Sequence, residues 1–471
     1  MSLKTASTPL TYLVKVPCYS DVVSPPLGLG YLAAHVGDVA RVRLIDGIRK
    51  PVTPRSLAAL ARKEQPTVIG LSVVTHAARA LVDFVAELRA ACPDSLIVAG
   101  GPHPSAMSEL VLRRSFDGLD AVMIGEAERT FRGLVIAADA AESPRSVDLS
   151  ALPGVAYLDA DEYVKTPQPA PVDIDELGMP AWSLMPPDSY PHAPHGAFFK
   201  RFPVAPILTS RGCPYACGFC SVPQLVGRKM RYRSPEVVCD ELQILRDSFG
   251  VREFQVVDDN FTISRKHALG ICREIIARGL VMPWSCPNGV RIDALDDELL
   301  DAMQAAGCYS ISLGIESGSA RVLERMVKHL DLSIVPEVVD KIVGRGMEAH
   351  AFFILGYPGE TRGEALETIH LAESLPLTRA NFSLFTPLPS TPEFDTLSRN
   401  QRERILNMSD YAEVSYVAPG YSPRVLKNLQ RQAILRFYSR PRQLWRLARA
   451  IRSPETAFYV GRRALHWLGG R

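Results

Sequence analysis

Ser210-Arg-Gly-Cys-Pro-Tyr-Ala-Cys-Gly-Phe-Cys220 carries three thiols, Cys213, Cys217 and Cys220, at CxxxCxxC spacing, with the aromatic Phe219 just before the last. The apolar run Pro206-Ile-Leu-Thr209 ahead of them reads as a short buried strand. The thiols therefore sit on a loop leaving a strand. A [4Fe–4S] cluster is held by Cys thiolates, ordinarily four. Three leave one iron open to a small molecule. A zinc knuckle would want a fourth Cys or His at ligand spacing close by, and none follows. Three structural cysteines are the remaining reading.

The chain of 471 residues is long enough for two or three domains, and its 47% hydrophobic and 22% charged residues are those of an ordinary α/β protein. A net charge of +2 gives no argument for nucleic acid. No apolar segment follows Met1, and no run approaches the roughly 20 residues of a membrane span, so a cytoplasmic protein is expected. Nine cysteines, three of them clustered, suit a reducing compartment and a metal centre rather than a disulfide framework. Cys18, Cys92, Cys239, Cys272, Cys286 and Cys308 read as small apolar residues.

Upstream, strand and helix patterns alternate. Strands are expected over 12–16, 42–46, 68–74, 96–100 and 121–125, and helices over 27–36, 54–62 and 77–91. That alternation specifies a parallel, doubly wound, Rossmann-like sheet over residues 10–140. Such sheets bind ligands at the carboxyl ends of their strands. Thr75, His76, Gly100, Gly101, His103, Gly125 and Glu126 fall there. For His76 and His103 a plain loop histidine is the competing reading. Residues 141–205 are rich in proline and read as a linker, with a small hairpin at 155–158 and 163–164.

From 206 to 392 the βα alternation returns, as in a partial (β/α) barrel with active groups at the strand tips. Those tips carry Asp258 and Asp259, Arg291, Glu316 and Ser317, then Ile354, Gly356 and Glu360. Carboxylates are rarely buried without partners, so packing alone explains them poorly. The basic stretch Gly227 to Arg233 reads as a solvated loop face, with contact to an acidic group as the alternative. Tyr215 and Tyr357 are within reach of the same region, or pack at its rim. Residues 393–471 are expected to be mainly helical. From Arg424 to Arg471 twelve Arg and Lys face one acid, Glu455. Leu444, Leu447, Ala448 and Ile451 share one helix face and Arg442, Arg446 and Arg449 the other, a basic amphipathic helix that either packs on the barrel or lies on an anionic membrane.

The cysteine loop, CxxxCxφC with φ aromatic, resembles the radical S-adenosylmethionine (SAM) superfamily. Pro25-Pro-Leu-Gly-Leu-Gly-Tyr-Leu-Ala-Ala34, Gly70-Leu-Ser-Val-Val-Thr75, Gly100-Gly-Pro-His-Pro104 and Gly125-Glu-Ala-Glu-Arg-Thr-Phe131 resemble the cobalamin-binding domain that precedes many of its members, among them the class B methyltransferases. The DxHxxG motif that supplies histidine to cobalt elsewhere is missing, since Asp46-Gly-Ile-Arg-Lys50 has no His at that offset. The resemblance implies a [4Fe–4S] cluster on the three thiols, SAM on its open iron, a 5′-deoxyadenosyl radical, and cobalamin on the N-terminal sheet. It assigns Asp258 and Asp259 to the methionine amino group, Glu316 and Ser317 to ribose or carboxylate, and Ile354, Gly356 and Glu360 to adenine. Phe219 belongs to the cluster motif. Arg291 pairs with the SAM carboxylate or with Asp293 or Glu316. His76 stands where relatives face the lower side of cobalt.

The implied activity is C-methylation of an unactivated carbon on a small molecule, an isoprenoid lipid such as a hopanoid or a secondary metabolite. An electron donor such as a flavodoxin or ferredoxin is expected, and no nucleic acid. The alternatives are a dehydratase, epimerase or cyclase with an empty N-terminal layer, and a non-enzymatic Fe–S or cobalamin sensor.

Overall fold

The structure is a computed structural model that describes residues 8–462, apart from 21, 116–117, 193–197, 412, 452–453 and 455–456. Pro194 and the tail's Arg452, Glu455, Arg463 and Arg471 lie outside the described residues. The chain divides into two compact units, one of residues 1–20, 25–186 and 406–409, the other of 21–24, 187–405 and 410–471.

The first unit runs β1 (Leu10–Lys15), α1 (Leu27–Val36), β2 (Arg41–Asp46), α2 (Pro54–Glu64), β3 (Val68–Ser72), α3 (Ala78–Ala91), β4 (Leu96–Gly100), α4 (Pro102–Ala106), α5 (Ser108–Arg114), β5 (Ala121–Met123), α6 (Glu128–Ala140), β6 (Val155–Asp159) and β7 (Glu162–Lys165). The sheet order is β2-β1-β3-β4-β5-β6-β7, with the first five strands parallel. Alternation of side chains along β1 divides it between two cores. Tyr12 and Val14 pack with Leu57, Phe84 and Leu88, whereas Leu13 packs with Leu29, Phe131 and Leu134. Helices thus cover both faces, which is why β3 and β4 read as unbroken apolar runs. The hairpin expected in the linker is instead the antiparallel edge of this sheet, β6 against β5 and β7 against β6.

The second unit begins with β8 (Val204–Ile207), β9 (Ser210–Arg211), α7 (Val222–Leu225), β10 (Arg231–Tyr232), α8 (Pro235–Phe249), β11 (Glu253–Val256), α9 (Arg265–Ala277), β12 (Trp284–Val290) and α10 (Asp297–Ala305). It continues with β13 (Cys308–Glu316), α11 (Ala320–Arg325), α12 (Val335–Gly344), β14 (Glu348–Leu355), α13 (Arg362–Ser374), β15 (Arg379–Leu384), α14 (Pro392–Asp395), α15 (Arg399–Leu406), α16 (Pro423–Tyr438) and α17 (Pro441–Ala450). Its six long strands are parallel and lie in chain order, β8-β11-β12-β13-β14-β15, as an open partial barrel. All nine residues of β13 are buried, as a central strand with both faces covered requires. Helix starts are written in the sequence. Ser234 caps α8, and Thr361 with Glu364 forms a capping box on α13.

Candidate active site

The cysteine loop is held at both ends. β9 pairs antiparallel with β10, so residues 212–230 form a closed excursion from the tip of β8. Gly212 has φ of +98°, and a Cβ there would meet the Lys229 carbonyl at 2.5 Å. Inside the loop the Cys213 N–H donates to Gly227 O (3.1 Å), and the Gly218 N–H to Met326 O (2.9 Å). The three thiols are half-buried and not disulfide-bonded. Burial pushes each of them up, Cys220 to about 11, and the thiols of Cys213 and Cys217 add to that effect on Cys220. Backbone amides of Tyr215 and Val222 hydrogen-bond the sulfurs of Cys213 and Cys220 and work the other way. Among the described residues no three Cys, His, Asp or Glu side chains form a group that could hold a metal ion as they stand, but three thiols on one loop, with amide donors aimed at two of them, supply the soft donors that an iron–sulfur cluster takes.

Two buried cations frame the loop. Lys328 Nζ lies 3.0 Å from Glu316 Oε1, and 5.8 Å from the Phe219 ring centroid. Its charge favours the thiolates of Cys213 and Cys217. Sequence reasoning missed Lys328. It stands in a short loop between Val327 and His329, both at positive φ, where no periodicity marks it. Arg291 stacks at 4.0 Å over Tyr215, and its Nη2 donates to Asp293 at 2.6 Å. It also donates to the carbonyls of Lys328 (2.8 Å) and His329 (2.9 Å). Of the two protein carboxylates open to Arg291, Asp293 and Glu316, it pairs with Asp293. Arg233, read as part of a solvated loop, is fully buried in a 2.5 Å pair with Glu241.

The strand tips divide into groups turned inward and groups turned to the site. Asp258 is buried, and its oxygens accept the Thr209 N–H, the Thr209 hydroxyl and the Ser210 hydroxyl, each at 2.6 Å. Burial still pushes its carboxyl up. Asp259 next to it is exposed to solvent at its edge yet walled by protein, and that wall with the Asp258 charge raises it to about 6. Its charge reaches Cys213 and Cys220. Glu316, at φ of +68°, closes β13 beside Lys328. Ser317 is fully buried, bonded to the Thr368 hydroxyl (3.1 Å) and the Ser319 N–H (3.1 Å). Its hydroxyl serves the turn into α11.

Ile354 is half-buried on β14, and Gly356 follows the strand at φ of +79°. Glu360 Oε2 accepts the Gly356 N–H at 2.5 Å, and burial raises this carboxyl to about 7. The Tyr357 hydroxyl donates to Glu393, and that pair abuts Gly218 so closely that a Cβ there would strike both. Glu393 was not foreseen, because it lies beyond the last strand on the four-residue α14.

In the first unit Thr75 and His76 follow β3, Gly100 ends β4 and Gly101 follows it, and Gly125 and Glu126 follow β5. These strands are adjacent, so the six residues line the carboxyl edge of one sheet. Gly101 has φ of +97°, and a Cβ there would meet the backbone O and N of Val73 at 3.0 and 3.2 Å. The Gly125 N–H donates to Ser105 Oγ at 2.9 Å. His103 is buried and held neutral, lowered to about 4 by burial and Arg114. Its Nδ1 has no hydrogen-bond partner among the described residues. Bare glycine backbone and an unsatisfied neutral imidazole at the strand ends fit a large ligand rich in amides and phosphate. Asp46, where a DxHxxG aspartate would stand, instead accepts the N–H groups of Ile48 and Arg49.

A parallel five-strand layer with glycine turns, and an open barrel with three thiols at its first tip, define a two-unit protein of cofactor-binding type. Residues 207–372 match the radical SAM superfamily, and residues 20–135 match the B12 binding domain. An uncharacterized methyltransferase of Pyrococcus horikoshii is 31% identical over 423 residues, 89% of either chain. The anaerobic magnesium-protoporphyrin IX monomethyl ester cyclase of Cereibacter sphaeroides is 31% identical over 85% of this chain and 64% of its own. The solved structure of the radical S-adenosylmethionine methyltransferase TsrM from Kitasatospora setae, with cobalamin and [4Fe–4S] cluster bound, shares the fold. Its TM-score is 0.66 at 20% identity, over 89% of this chain and 82% of that one. The chain belongs to the radical SAM superfamily, in the group that carries an N-terminal B12-binding domain.

Proposed function

We propose that the chain is a cobalamin-dependent radical SAM C-methyltransferase acting on an unactivated carbon of a small molecule. The observation that carries this reading is the three half-buried thiols on one loop, two of them within reach of the Asp259 charge, on a chain that also bears the glycine turns of a B12-binding layer. Bound there, a reduced [4Fe–4S] cluster supplies the electron that cleaves SAM, and a corrinoid supplies a methyl carrier.

The chain's own residues hold and shield. Cys213, Cys217 and Cys220 hold the cluster. Asp259 binds the ammonium of SAM, which a carboxylate at the mouth of a concave site suits. Glu316, paired with Lys328, accepts the ribose hydroxyls. Ile354 and the bare backbone at Gly356 meet adenine, and Glu360 keeps that turn in shape. Asp258, Arg291 and Ser317 position the elements that present these groups. Phe219 covers the cluster against water. Thr75, His76, Gly100, Gly101, Gly125 and Glu126 cradle the corrinoid. The acceptor we put forward is an isoprenoid lipid, a hopanoid among them, or a secondary metabolite, with electrons from a flavodoxin or ferredoxin.

The match to a cyclase at equal identity favours one second reading, a radical SAM cyclase that transfers no methyl group. The test is an anaerobic preparation with reconstituted cluster and hydroxocobalamin, desalted and given SAM carrying a labelled methyl group, a reductant and candidate acceptors. The proposal expects a retained corrinoid spectrum, 5′-deoxyadenosine, and label on the acceptor. Deoxyadenosine with an altered but unlabelled acceptor replaces it with the cyclase. Replacing any one of the three cysteines with Ala abolishes deoxyadenosine on either reading.

A further inference from the structure

Helix α17 turns apolar side chains to solvent. A surface helix ordinarily seats its apolar stripe on the core. Here two polar side chains make contacts with the rest of the unit. Gln443 is buried, its Nε2 donating to the Leu377 carbonyl at 2.7 Å, and Arg446 Nη1 donates to the same carbonyl at 3.0 Å. Arg440 anchors the preceding joint on Glu373 O at 2.6 Å. The residues opposite Gln443 and Arg446 on the helix are Leu444, Trp445 and Ala448, and all three are exposed. Leu444 is 53% and Trp445 60% exposed, and Ile451, just past the helix and three residues beyond Ala448, is exposed too. Arg449 stacks at 4.4 Å on Trp445, and Arg442 is exposed on the same side.

We propose that this outward face of α17 docks on an anionic phospholipid surface, the helix lying in the headgroup plane. Three observations choose that occupant. Trp beside Leu, with an amphipathic indole that prefers the membrane–water boundary, is the composition of an interfacial helix. Arg442 and Arg449 flank the apolar residues, as lipid phosphates beside the buried chains require. Twelve basic residues against one acid from 424 to 471 oppose a second copy of the same face, because like charges would meet. No helix among the described residues is long and apolar enough to cross a membrane, so the contact is peripheral.

The experiment is co-sedimentation of the full-length, cluster-loaded protein with phosphatidylcholine vesicles, alone or mixed with phosphatidylglycerol. The expected result is binding to the mixed vesicles only, weakened by salt. Each arginine near the surface contributes on the order of fivefold in affinity, so Arg442→Gln with Arg449→Gln should lose roughly 25-fold. Leu444→Ser with Trp445→Ser should abolish binding, with bound iron and circular dichroism unchanged because both side chains are exposed. The proposal is overturned if the wild-type chain stays in solution with both vesicles, or if the Ser variant sediments like it. It also fails if the Ser variant loses a concentration-dependent dimer, or if the chain binds an oligonucleotide while ignoring vesicles.

Discussion

Asp258 and Asp259 are adjacent in the chain and do different work, which single substitutions separate. Asp258 collects three donors from Thr209 and Ser210 and so fixes the exit of β8 that carries the thiols. Asp258→Ala strands those donors at about 1–3 kcal/mol for each one left unsatisfied, so thermal unfolding should fall and cluster loss speed up. Asp258→Asn should be nearly silent, since both hydroxyls can turn to accept from the new amide. Asp259 holds no fold contact of that kind. Asp259→Asn should leave the melting temperature in place and weaken SAM binding by roughly 10- to 100-fold, the worth of a charge-assisted hydrogen bond. Equal effects of Asp258→Asn and Asp259→Asn on SAM binding would refute this division. Gly218 offers a second residue-scale test. Its missing side chain makes room for the Tyr357–Glu393 pair. Gly218→Ala should cost about 1–3 kcal/mol by overpacking and lower bound iron, with part of the iron regained in the double variant with Glu393→Ala.

At the scale of elements, the foot of the barrel is sealed by one carboxyl. Glu253 opens β11 fully buried, and its Oε2 accepts the N–H groups of Lys200 and Arg201 at 2.6 and 2.7 Å. Its Oε1 lies 2.6 Å from the Tyr309 hydroxyl, which lies 2.9 Å from Phe198 O. One phenolic proton cannot serve both acceptors. The network is complete when Glu253 is protonated and donates to Tyr309, in keeping with a carboxyl raised to about 7 by burial. A raised acid favours the folded state at low pH, and that advantage drains away as pH climbs from the unfolded value near 4.5 through 7. The loss is on the order of 3 kcal/mol. Glu253→Gln mimics the protonated acid. It should match the wild type in thermal unfolding near pH 5 and exceed it near pH 8, and a gap that does not widen with pH would refute the account.

The strands of both units were legible because parallel strands buried on both faces read as unbroken apolar runs, and α1 falls at 27–36 as expected. The cysteine loop was legible because its spacing is local. What the sequence hid is non-local. Lys328 reaches the site from a loop with no period and Glu393 from the four-residue α14, too short to show one, and Ser317 differs from Glu316 only in which way a turn points it. The hairpin at 155–165 reads alike whether it stands alone or extends a sheet, since the partner strand lies 30 residues away in sequence and no local signal names it. The exposure of Leu444 and Trp445 on α17 was equally hidden. Its apolar stripe is plain in the sequence, but only the contact of Gln443 and Arg446 with Leu377 says which side chains meet the rest of the unit.

At the scale of the whole molecule, the two cofactor sites rest on separate sheets with separate cores, and each should be removable without the other. Gly101 sits at φ of +97° with the Val73 backbone 3.0 Å from any added Cβ. Gly101→Ala therefore strains the turn after β4, at roughly 1–3 kcal/mol for the backbone alone, and pushes atoms into the carboxyl edge of the first sheet. Corrinoid retained after desalting should fall, while bound iron stays at the wild-type level. Cys217→Ala should do the reverse, losing iron and keeping corrinoid. Functionally the two lesions separate as well. Gly101→Ala should still release 5′-deoxyadenosine from SAM while methyl transfer to the acceptor fails. Cys217→Ala should release none. If Gly101→Ala lost iron along with corrinoid, the sites would be coupled through the fold and the modular reading would be wrong. If it lost corrinoid and the acceptor were still converted, the N-terminal layer would be dispensable for chemistry, and the cyclase reading would take precedence.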